Sequence, residues 1–166
     1  EEHAAIRAQV RRFAERAVAP HAGRWEEDEE FPRALYDEAA AAGVLGIGYP
    51  EALGGGGGDL GHLLVASDEL IVRGRSVGTA VGLGSHGIAL PPIVRFGSPA
   101  QQARWVTPAL AGRIVAALAI TEPGGGSDVA ALTTRAVRDG DHYVVDGAQT
   151  FLTSGCRADV VVHAVR

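Results

Sequence analysis

Three residue types are missing from the sequence, which contains no methionine, no lysine and no asparagine in 166 residues. All 15 basic residues are therefore arginine, set against 20 acidic residues, and the formal net charge is −5. Because no basic cluster interrupts this acidic balance, we expect no binding to nucleic acid. The arginine bias is typical of a GC-rich, bacterial genome, and the missing methionine predicts that the chain is part of a longer protein.

Cysteine and long hydrophobic runs are also scarce. Cys156 is the only cysteine, which excludes an internal disulfide and favours a reducing, cytoplasmic location. The apolar runs are interpreted as too short for a membrane span, and no signal peptide is visible. The acidic run at residues 26–30 has no histidine or cysteine beside it at ligand spacing, so we interpret it as a solvated loop and expect no metal site.

The first two thirds of the chain carries helical patterns. An apolar stripe at helical spacing begins the chain and consists of Ile6, Val10, Phe13 and Ala17. This stripe predicts an amphipathic helix that ends near Pro20. A second helix is expected from Pro32 to its cap at Gly43. Asp59 is the expected N-cap of another helix, whose predicted buried stripe comprises Leu60, Leu63, Leu64, Leu70 and Ile71.

The segment from Gly82 to Gly87 matches the pattern G-x-G-x-x-G. We reject a dinucleotide site here because no strand precedes the glycines and no acidic residue follows about twenty positions later. His86, inside this segment, is interpreted as a packed or hydrogen-bonded structural histidine. Further along, Ser98 and Gln101 have the spacing of a capping box at a helix start.

After Gly112 the pattern changes from helical to extended. The apolar run from Ile114 to Thr121 is typical of a buried strand. Hairpin signals at Asp139-Gly140 and Asp146-Gly147 divide the next part into the expected strands of a meander, at residues 133–138, 142–145 and 148–153. The predicted fold class is therefore α+β, with an N-terminal all-α domain at residues 1–112 followed by an antiparallel β domain that starts at residue 113 and is truncated at residue 166.

The most informative stretch joins the buried strand to a glycine loop at residues 118–128. Pro123 ends the strand because it lacks a backbone donor, and three glycines then allow another molecule to approach the backbone closely. Ser127 and Asp128 close the loop. Unpaired backbone N–H groups in such a loop suit an anionic oxygen, but no Gly-Lys-Ser/Thr follows, so the loop is not a P-loop.

This stretch carries a family resemblance. The segment from Thr121 to Asp128 resembles the T-E-P-G-x-G-S-D signature of the acyl-CoA dehydrogenase family. Residues 50–58 resemble its P-E-x-x-G-G-x-G segment, residues 96–101 its F-G-T/S-x-x-Q stretch, and residues 151–153 its W-I-T motif. The order of a helical and then a β domain is also the family's, whereas the third, helical domain of the family is absent from this chain.

The resemblance implies that the β domain binds FAD. The implied cofactor-binding residues are Leu118, Ile120, Thr121, Gly126, Ser127, Phe151 and Thr153. Ser127 is also implied to contact the acyl-CoA substrate. Phe151 departs from the family's tryptophan, so an aromatic cover for the flavin is retained while the indole N–H donor is lost.

The resemblance further implies an enzyme of fatty acid metabolism that introduces an α,β double bond into an acyl-CoA thioester. An electron-transfer flavoprotein is the implied electron acceptor, and the implied assembly is a homo-oligomer, a tetramer or a dimer. The family's catalytic glutamate belongs to the third domain, so no catalytic residue is expected here, and Glu122 is interpreted as a loop anchor. Two alternatives stay open: an oxygen-using acyl-CoA oxidase or flavin monooxygenase of the same fold, and a non-catalytic partner subunit in a mixed oligomer.

Overall fold

The computed structural model describes all residues, 1–166, and has helices first and strands last. The α-helices are α1 (Glu2–Phe13), α2 (Ala22–Glu27), α3 (Ala34–Ala41), α4 (Leu60–Gly74), α5 (Val77–Leu83), α6 (His86–Phe96), α7 (Pro99–Gln101) and α8 (Thr107–Leu110). Two π-helical turns, Ala14–Val18 and Gln102–Val106, continue α1 and α7. The strands are β1 (Ala116–Ala119), β2 (Arg135–Asp139), β3 (His142–Asp146) and β4 (Val160–His163). The predicted α+β class is confirmed.

Side-chain caps define where two of the helices begin. At the start of α4, the Asp59 carboxylate accepts a hydrogen bond from the His62 backbone N–H at 3.2 Å, and the His62 ring accepts one from the Asp59 backbone N–H at 3.2 Å. Ser98 and Gln101 form the same reciprocal arrangement at the start of α7. Both predicted caps are confirmed, because a capping box satisfies backbone donors that a helix start otherwise leaves unpaired.

The predicted buried stripe of α4 is confirmed at Leu70 and wrong at its other four positions. Leu60 and Leu64 are 70% and 62% exposed, and Leu63 and Ile71 are also exposed. The buried face instead carries Ala66, Glu69, Leu70 and Gly74. α4 packs alongside α1 in the same direction, and small residues allow a close approach: a Cβ added at Gly74 would lie 3.1 Å from Val18.

A buried carboxylate joins these two helices. Glu69 is almost inaccessible and accepts hydrogen bonds from Arg7 at 2.6 Å and from Arg11 at 2.9 and 3.0 Å, with Arg73 at 3.5 Å. Hydrogen bonds from Arg11 and then from Arg7 lower the pKa of Glu69 to about 2. Charge pairing therefore joins α1 and α4 beside the apolar contacts that Ala66 and Leu70 make in the core.

The β region consists of two separate two-stranded sheets. β2 and β3 form the predicted antiparallel hairpin, which turns at Gly140 and Asp141. β1 instead pairs with β4 in parallel, with Ala116 opposite Val160 and Ala119 opposite His163. β1 is largely buried, and its Ala116 packs with Ala89 and Leu90 of α6.

The third predicted strand of the meander, at residues 148–153, is wrong. No hairpin turn or strand forms at residues 147–152. Gly147 has φ +152° and lies against Thr134, since a Cβ added there would lie 2.5 Å from Thr134 Oγ1. The chain instead crosses between the two sheets, where the Thr150 N–H donates to the Thr121 carbonyl at 2.8 Å and the Gln149 amide donates to the Ala164 carbonyl at 2.8 Å.

One helical stretch is long and apolar enough to span a membrane. Val77–Phe96 meets both criteria by length and composition, with a mean hydropathy of 1.3, so the interpretation of all apolar runs as too short was wrong for this stretch. In the structure it is divided into α5 and α6, α6 contains Pro91 and Pro92, and 33% of the apolar window is buried. A single stretch of this kind is weak support for a membrane span, because core helices meet the same criteria.

His86 is packed, as predicted, but it is not hydrogen-bonded. Its side chain is 2% exposed, neither ring nitrogen has a hydrogen-bond partner, and the neighbouring Ser85 hydroxyl is also buried without a partner. The ring lies 5.4 Å from the Tyr36 ring, centroid to centroid. Burial lowers the pKa of His86 to about 4 because the cation loses its hydration.

This buried histidine predicts a loss of stability in mildly acidic solution. The unfolded chain takes up a proton at His86 near pH 6.5, while the folded chain resists protonation down to about pH 4. The free energy of unfolding should therefore fall by about 2 kcal/mol between pH 7.5 and pH 5. Urea unfolding of the complete protein at both values measures this loss.

His86→Leu should remove most of that loss, whereas the exposed-site variant His142→Leu should retain it. An unchanged pH dependence in His86→Leu would contradict the assignment of the effect to His86.

Candidate functional site

The glycine loop follows β1 as a tight turn. The Glu122 backbone N–H donates to the Gly125 carbonyl at 2.9 Å, and the Gly125 N–H donates to the Glu122 carbonyl at 3.1 Å. These two bonds close the turn around Pro123 and Gly124. Residues 123–128 are exposed, so the backbone of the loop faces outward from the buried strand.

The Glu122 side chain fixes the base of this loop. It is buried, and its two carboxylate oxygens accept hydrogen bonds from the backbone N–H and hydroxyl groups of Thr133 and Thr134, at 2.5 to 3.0 Å. The predicted role of Glu122 as a loop anchor is confirmed. A carboxylate with these four donor groups ties the loop to the segment that leads into β2.

The same hydrogen bonds determine the acidity of Glu122. Donation by Thr134 and then by Thr133 lowers its pKa to about 2, because each bond stabilises the ionised form. An anion this weakly basic, with its oxygens already occupied, is poorly suited to removing a proton from carbon. Glu122 is therefore a structural residue in this site.

A cavity of about 440 Å³ opens beside the glycine loop. Its walls come from the strand end, the loop and the segment after it, and they include Ile120, Glu122, Pro123, Gly124, Gly125, Gly126, Val129, Leu132, Thr133 and Ala148. A Cβ added at Gly124 or Gly125 would meet no atom within 4 Å, whereas one at Gly126 would lie 3.3 Å from Thr121 Cγ2. The backbone at the first two glycines is thus open to an approaching molecule.

The three glycines do not depend on glycine's special backbone angles, because none of Gly124, Gly125 and Gly126 has a left-handed φ. Gly126 differs from the other two glycines in the space available to a side chain, because an added Cβ would contact the Thr121 side chain.

The structure brings part of the predicted site together at this cavity. Ile120 and Gly126 line it, and the Thr121 carbonyl accepts the hydrogen bond from Thr150, which draws residues 148–153 alongside the loop. Leu118 lies deeper and packs against the second hydrophobic core, formed by Ala89, Leu90, Val106, Ala109, Leu110 and Ala116. Ser127 is exposed and does not line the cavity.

Phe151 and Thr153 belong to a loop that follows Thr150. Phe151 is 89% exposed and has φ +56°, an angle that non-glycine residues rarely adopt. Thr153 is half-buried, and the following Ser154 donates its hydroxyl to the Gly82 carbonyl of α5 at 3.3 Å. The loop is therefore held at its Ser154 end, while the Phe151 ring projects without packing partners.

Residues that sequence reasoning missed hold this loop against the helices. Asp159 accepts hydrogen bonds from the Val115 N–H at 2.8 Å and from the Arg33 guanidinium. Arg157 donates to Glu30 at 2.5 Å and to the Phe31 carbonyl at 2.8 Å, and its guanidinium lies 4.6 Å from the centre of the Phe31 ring. These contacts connect residues far apart in the sequence, so no local spacing signals them.

Comparison with known proteins adds to this geometry. The family profile "Acyl-CoA dehydrogenase, N-terminal domain" matches residues 1–113, and "Acyl-CoA dehydrogenase, middle domain" matches residues 117–166. A crystal structure of a probable acyl-CoA dehydrogenase from Mycobacterium abscessus is 49% identical with a TM-score of 0.96, over 100% of this chain and 44% of that chain.

Two further relatives have defined substrates or ligands in their names. A (2S)-methylsuccinyl-CoA dehydrogenase from Cereibacter sphaeroides is 40% identical over 100% of this chain and 30% of its own length. A glutaryl-CoA dehydrogenase from Mycobacterium smegmatis, solved in complex with FADH2, is 30% identical with a TM-score of 0.90, over 97% of this chain and 41% of that chain. This chain thus spans less than half of each relative's length. The profile matches and the shared architecture together establish that the chain belongs to the acyl-CoA dehydrogenase family.

Proposed function

We propose that this chain is the helical and flavin-binding part of an FAD-dependent acyl-CoA dehydrogenase. The proposed reaction introduces a double bond between the α and β carbons of an acyl-CoA thioester, with electrons passed to an electron-transfer flavoprotein. The observation that carries the proposal is the open backbone of Gly124 and Gly125 beside a cavity whose base is fixed by Glu122. A rigid base and an accessible backbone are what a tightly held cofactor requires.

The residues of the glycine loop and the Phe151 ring are chemically suited to bind FAD. Open glycine backbone can approach a pyrophosphate or ring oxygen closely, and the unpacked Phe151 ring provides a flat apolar face on which a planar ring can stack. The chemistry that FAD supplies when bound is the acceptance of a hydride from the acyl β carbon. The protein's contribution is position, polarisation and exclusion of water.

Each predicted site residue has a proposed part in this arrangement. The Leu118 and Ile120 backbone and the Thr121 hydroxyl would face the flavin ring, and Thr153 would hydrogen-bond it from the opposite segment. Gly126 would leave the space that the ring system needs beside Thr121. Ser127, which is exposed at the end of the loop, would contact both the flavin and the acyl-CoA.

The proton acceptor for the α carbon is proposed to lie outside residues 1–166. The cavity is lined by two carboxylates, the exposed Asp128 and the buried Glu122. Hydrogen bonds from Thr134 and Thr133 hold Glu122 ionised with a pKa of about 2. Such a group has too little affinity for a proton to compete for one on carbon. The third domain that the family adds is the proposed source of the base.

The location, the assembly and the metabolic role of the protein are likewise proposed from the resemblance. We propose a cytoplasmic, homo-oligomeric enzyme of fatty acid metabolism, a tetramer or a dimer. The relatives' names cover different acyl groups, methylsuccinyl and glutaryl among them, so the proposal specifies an acyl-CoA thioester without a chain length.

A pair of glycine variants tests the cofactor assignment. Gly126→Val should abolish or strongly reduce FAD retention, because a Cβ there already approaches Thr121 to 3.3 Å and the two further methyl groups would fill the adjacent space. Gly125→Ala should retain FAD, because a Cβ there meets nothing within 4 Å. The flavin absorbance of the purified complete protein gives FAD per chain for both variants.

Circular dichroism of the same samples separates loss of cofactor from loss of fold. If Gly126→Val folded normally and retained FAD and acyl-CoA binding like the parent, the glycine loop would be only a turn and the cofactor assignment would be wrong.

A further inference from the structure

Two histidines that are far apart in the sequence meet where α1 and α4 begin. His3 lies in the first turn of α1, and His62 is the third residue of α4. Their rings contact each other edge to face, with centroids 4.5 Å apart. Because α1 and α4 run side by side in the same direction, the starts of the two helices bring both imidazoles to one place on the surface.

Carboxylates complete the cluster. Asp59 Oδ1 lies 2.8 Å from His62 Nδ1 and 4.0 Å from His3 Nε2. Glu2 Oε2 lies 3.8 Å from His62 Nε2. One ring nitrogen of each histidine and one oxygen of Asp59 all lie within 4.8 Å of one another.

Gly61 leaves the room in which these groups converge. A Cβ added at Gly61 would lie 3.0 Å from His3 Nε2 and 3.1 Å from Asp59 Oδ1. Both atoms therefore lie directly over a residue that has no side chain. Any larger residue at this position would push the imidazole of His3 away from the carboxylate.

The donor set matches the preferences of borderline transition metals. Imidazole nitrogen and carboxylate oxygen bind Zn²⁺ at about 2.0–2.2 Å, so neighbouring ligand atoms in a tetrahedral site lie about 3.3 Å apart. The 2.8 Å between His62 Nδ1 and Asp59 Oδ1 and the 4.0 Å between His3 Nε2 and Asp59 Oδ1 both lie within 1 Å of this value, and the exposed side chains of His3 and Asp59 are free to make that shift. Two carboxylates and two neutral imidazoles together balance a divalent charge.

His62 is held in an orientation suited to a ligand. Its ring is largely buried, and Nδ1 is the nitrogen available to an ion, because it accepts a hydrogen bond from the Asp59 backbone N–H and lies 2.8 Å from Asp59 Oδ1. The other ring nitrogen, Nε2, faces Glu2. A carboxylate behind a ligating histidine fixes the ring and raises its basicity. The capping box of α4, in which the His62 ring accepts from the Asp59 backbone N–H, fixes this ring, so its orientation exists without any ion.

We propose that His3, Asp59 and His62 form a binding site for a divalent transition metal such as Zn²⁺, with Glu2 as the carboxylate behind the ligating His62 ring. The bound ion would link the first turns of α1 and α4. The sequence gives no sign of this site because the two histidines have no common spacing, and Asp59 and His62 alone indicate only a helix cap.

Zinc binding to the complete, tag-free protein tests the proposal. Titration calorimetry with ZnCl₂ should detect one site per chain in the parent. His3→Gln and His62→Gln should each weaken binding at least tenfold, and glutamine at position 62 still permits the capping box. The matched control is His142→Gln, because His142 is exposed beside Asp139 and Asp141 but has no second histidine; it should bind zinc like the parent.

Co²⁺ titration provides a second readout, since ions held by several protein ligands at low symmetry absorb strongly in the visible range. Parent-like zinc affinity in both His3→Gln and His62→Gln would overturn the proposal. So would a parent protein that binds no zinc at micromolar concentration, or equal losses in His142→Gln and His3→Gln.

Discussion

Replacement of Gly112 by alanine is expected to lower the free energy of unfolding by about 3 kcal/mol, from backbone strain and steric overlap together. Gly112 links α8 to the segment before β1 and has φ +77°, which an L-residue adopts only with strain. A Cβ there would also lie 2.6 Å from the Tyr36 carbonyl oxygen and 3.0 Å from the Asp37 Cα. Both contacts are with the backbone of α3, so no side-chain movement relieves them.

Gly140→Ala is the matched control for this prediction. Gly140 has a similar φ of +64°, but a Cβ there would meet nothing within 4 Å. It should therefore lose only the strain contribution, about 1 kcal/mol. Thermal and urea unfolding of the complete protein measure both losses. Equal losses in the two variants would contradict the packing of Gly112 against α3.

Glu69→Ala should be comparably damaging, with a loss of about 3 kcal/mol, because it removes a buried carboxylate that accepts hydrogen bonds from Arg7 and Arg11, and hydrogen bonds to charged groups contribute about 1.5–3 kcal/mol. Asp68→Ala is the matched control, since Asp68 also accepts a hydrogen bond from Arg7, at 3.2 Å, but is exposed to solvent. An exposed pair contributes less than about 1 kcal/mol. Denaturant unfolding of the two variants separates the contributions, and similar losses would contradict the buried role of Glu69.

The same variant has a defined pH dependence. Since the pKa of Glu69 is lowered to about 2 in the folded chain, its stabilisation is complete above its unfolded pKa of about 4.3 and is lost as the pH falls toward 2. The parent should therefore lose stability over this range more steeply than Glu69→Ala. Parallel curves for the two proteins would show that Glu69 is not the group responsible.

Short-range features of the fold could be predicted from the sequence. The caps at Asp59 and Ser98, and the hairpin turn at Gly140, depend on residues within three or four positions of one another. The glycine loop could also be located, because Pro123 and the glycines after it determine the local backbone. Such features appear wherever the local sequence leaves the backbone few alternatives.

Long-range features could not be predicted in the same way. Leu60, Leu63 and Leu64 of α4 have helical spacing on a face that α1 does not cover. Glu69, in contrast, is buried and paired with arginines from another helix. The anchoring of Glu122 depends on Thr133 and Thr134, and nothing in their spacing identifies them as its partners. Periodicity indicates which residues share a face, but not which face a neighbouring element covers.

The parallel pairing of β1 with β4 has a consequence for synthesis on the ribosome. Roughly 40 residues separate the two strands, so at about 5–20 residues per second β1 waits about 2 to 8 s for its partner. An unpaired strand during that interval is a template for aggregation. β1 has the sequence Ala-Ala-Leu-Ala, and alanine has a low preference for extended structure. This composition should reduce the tendency of the unpaired β1 to pair with strands of other chains.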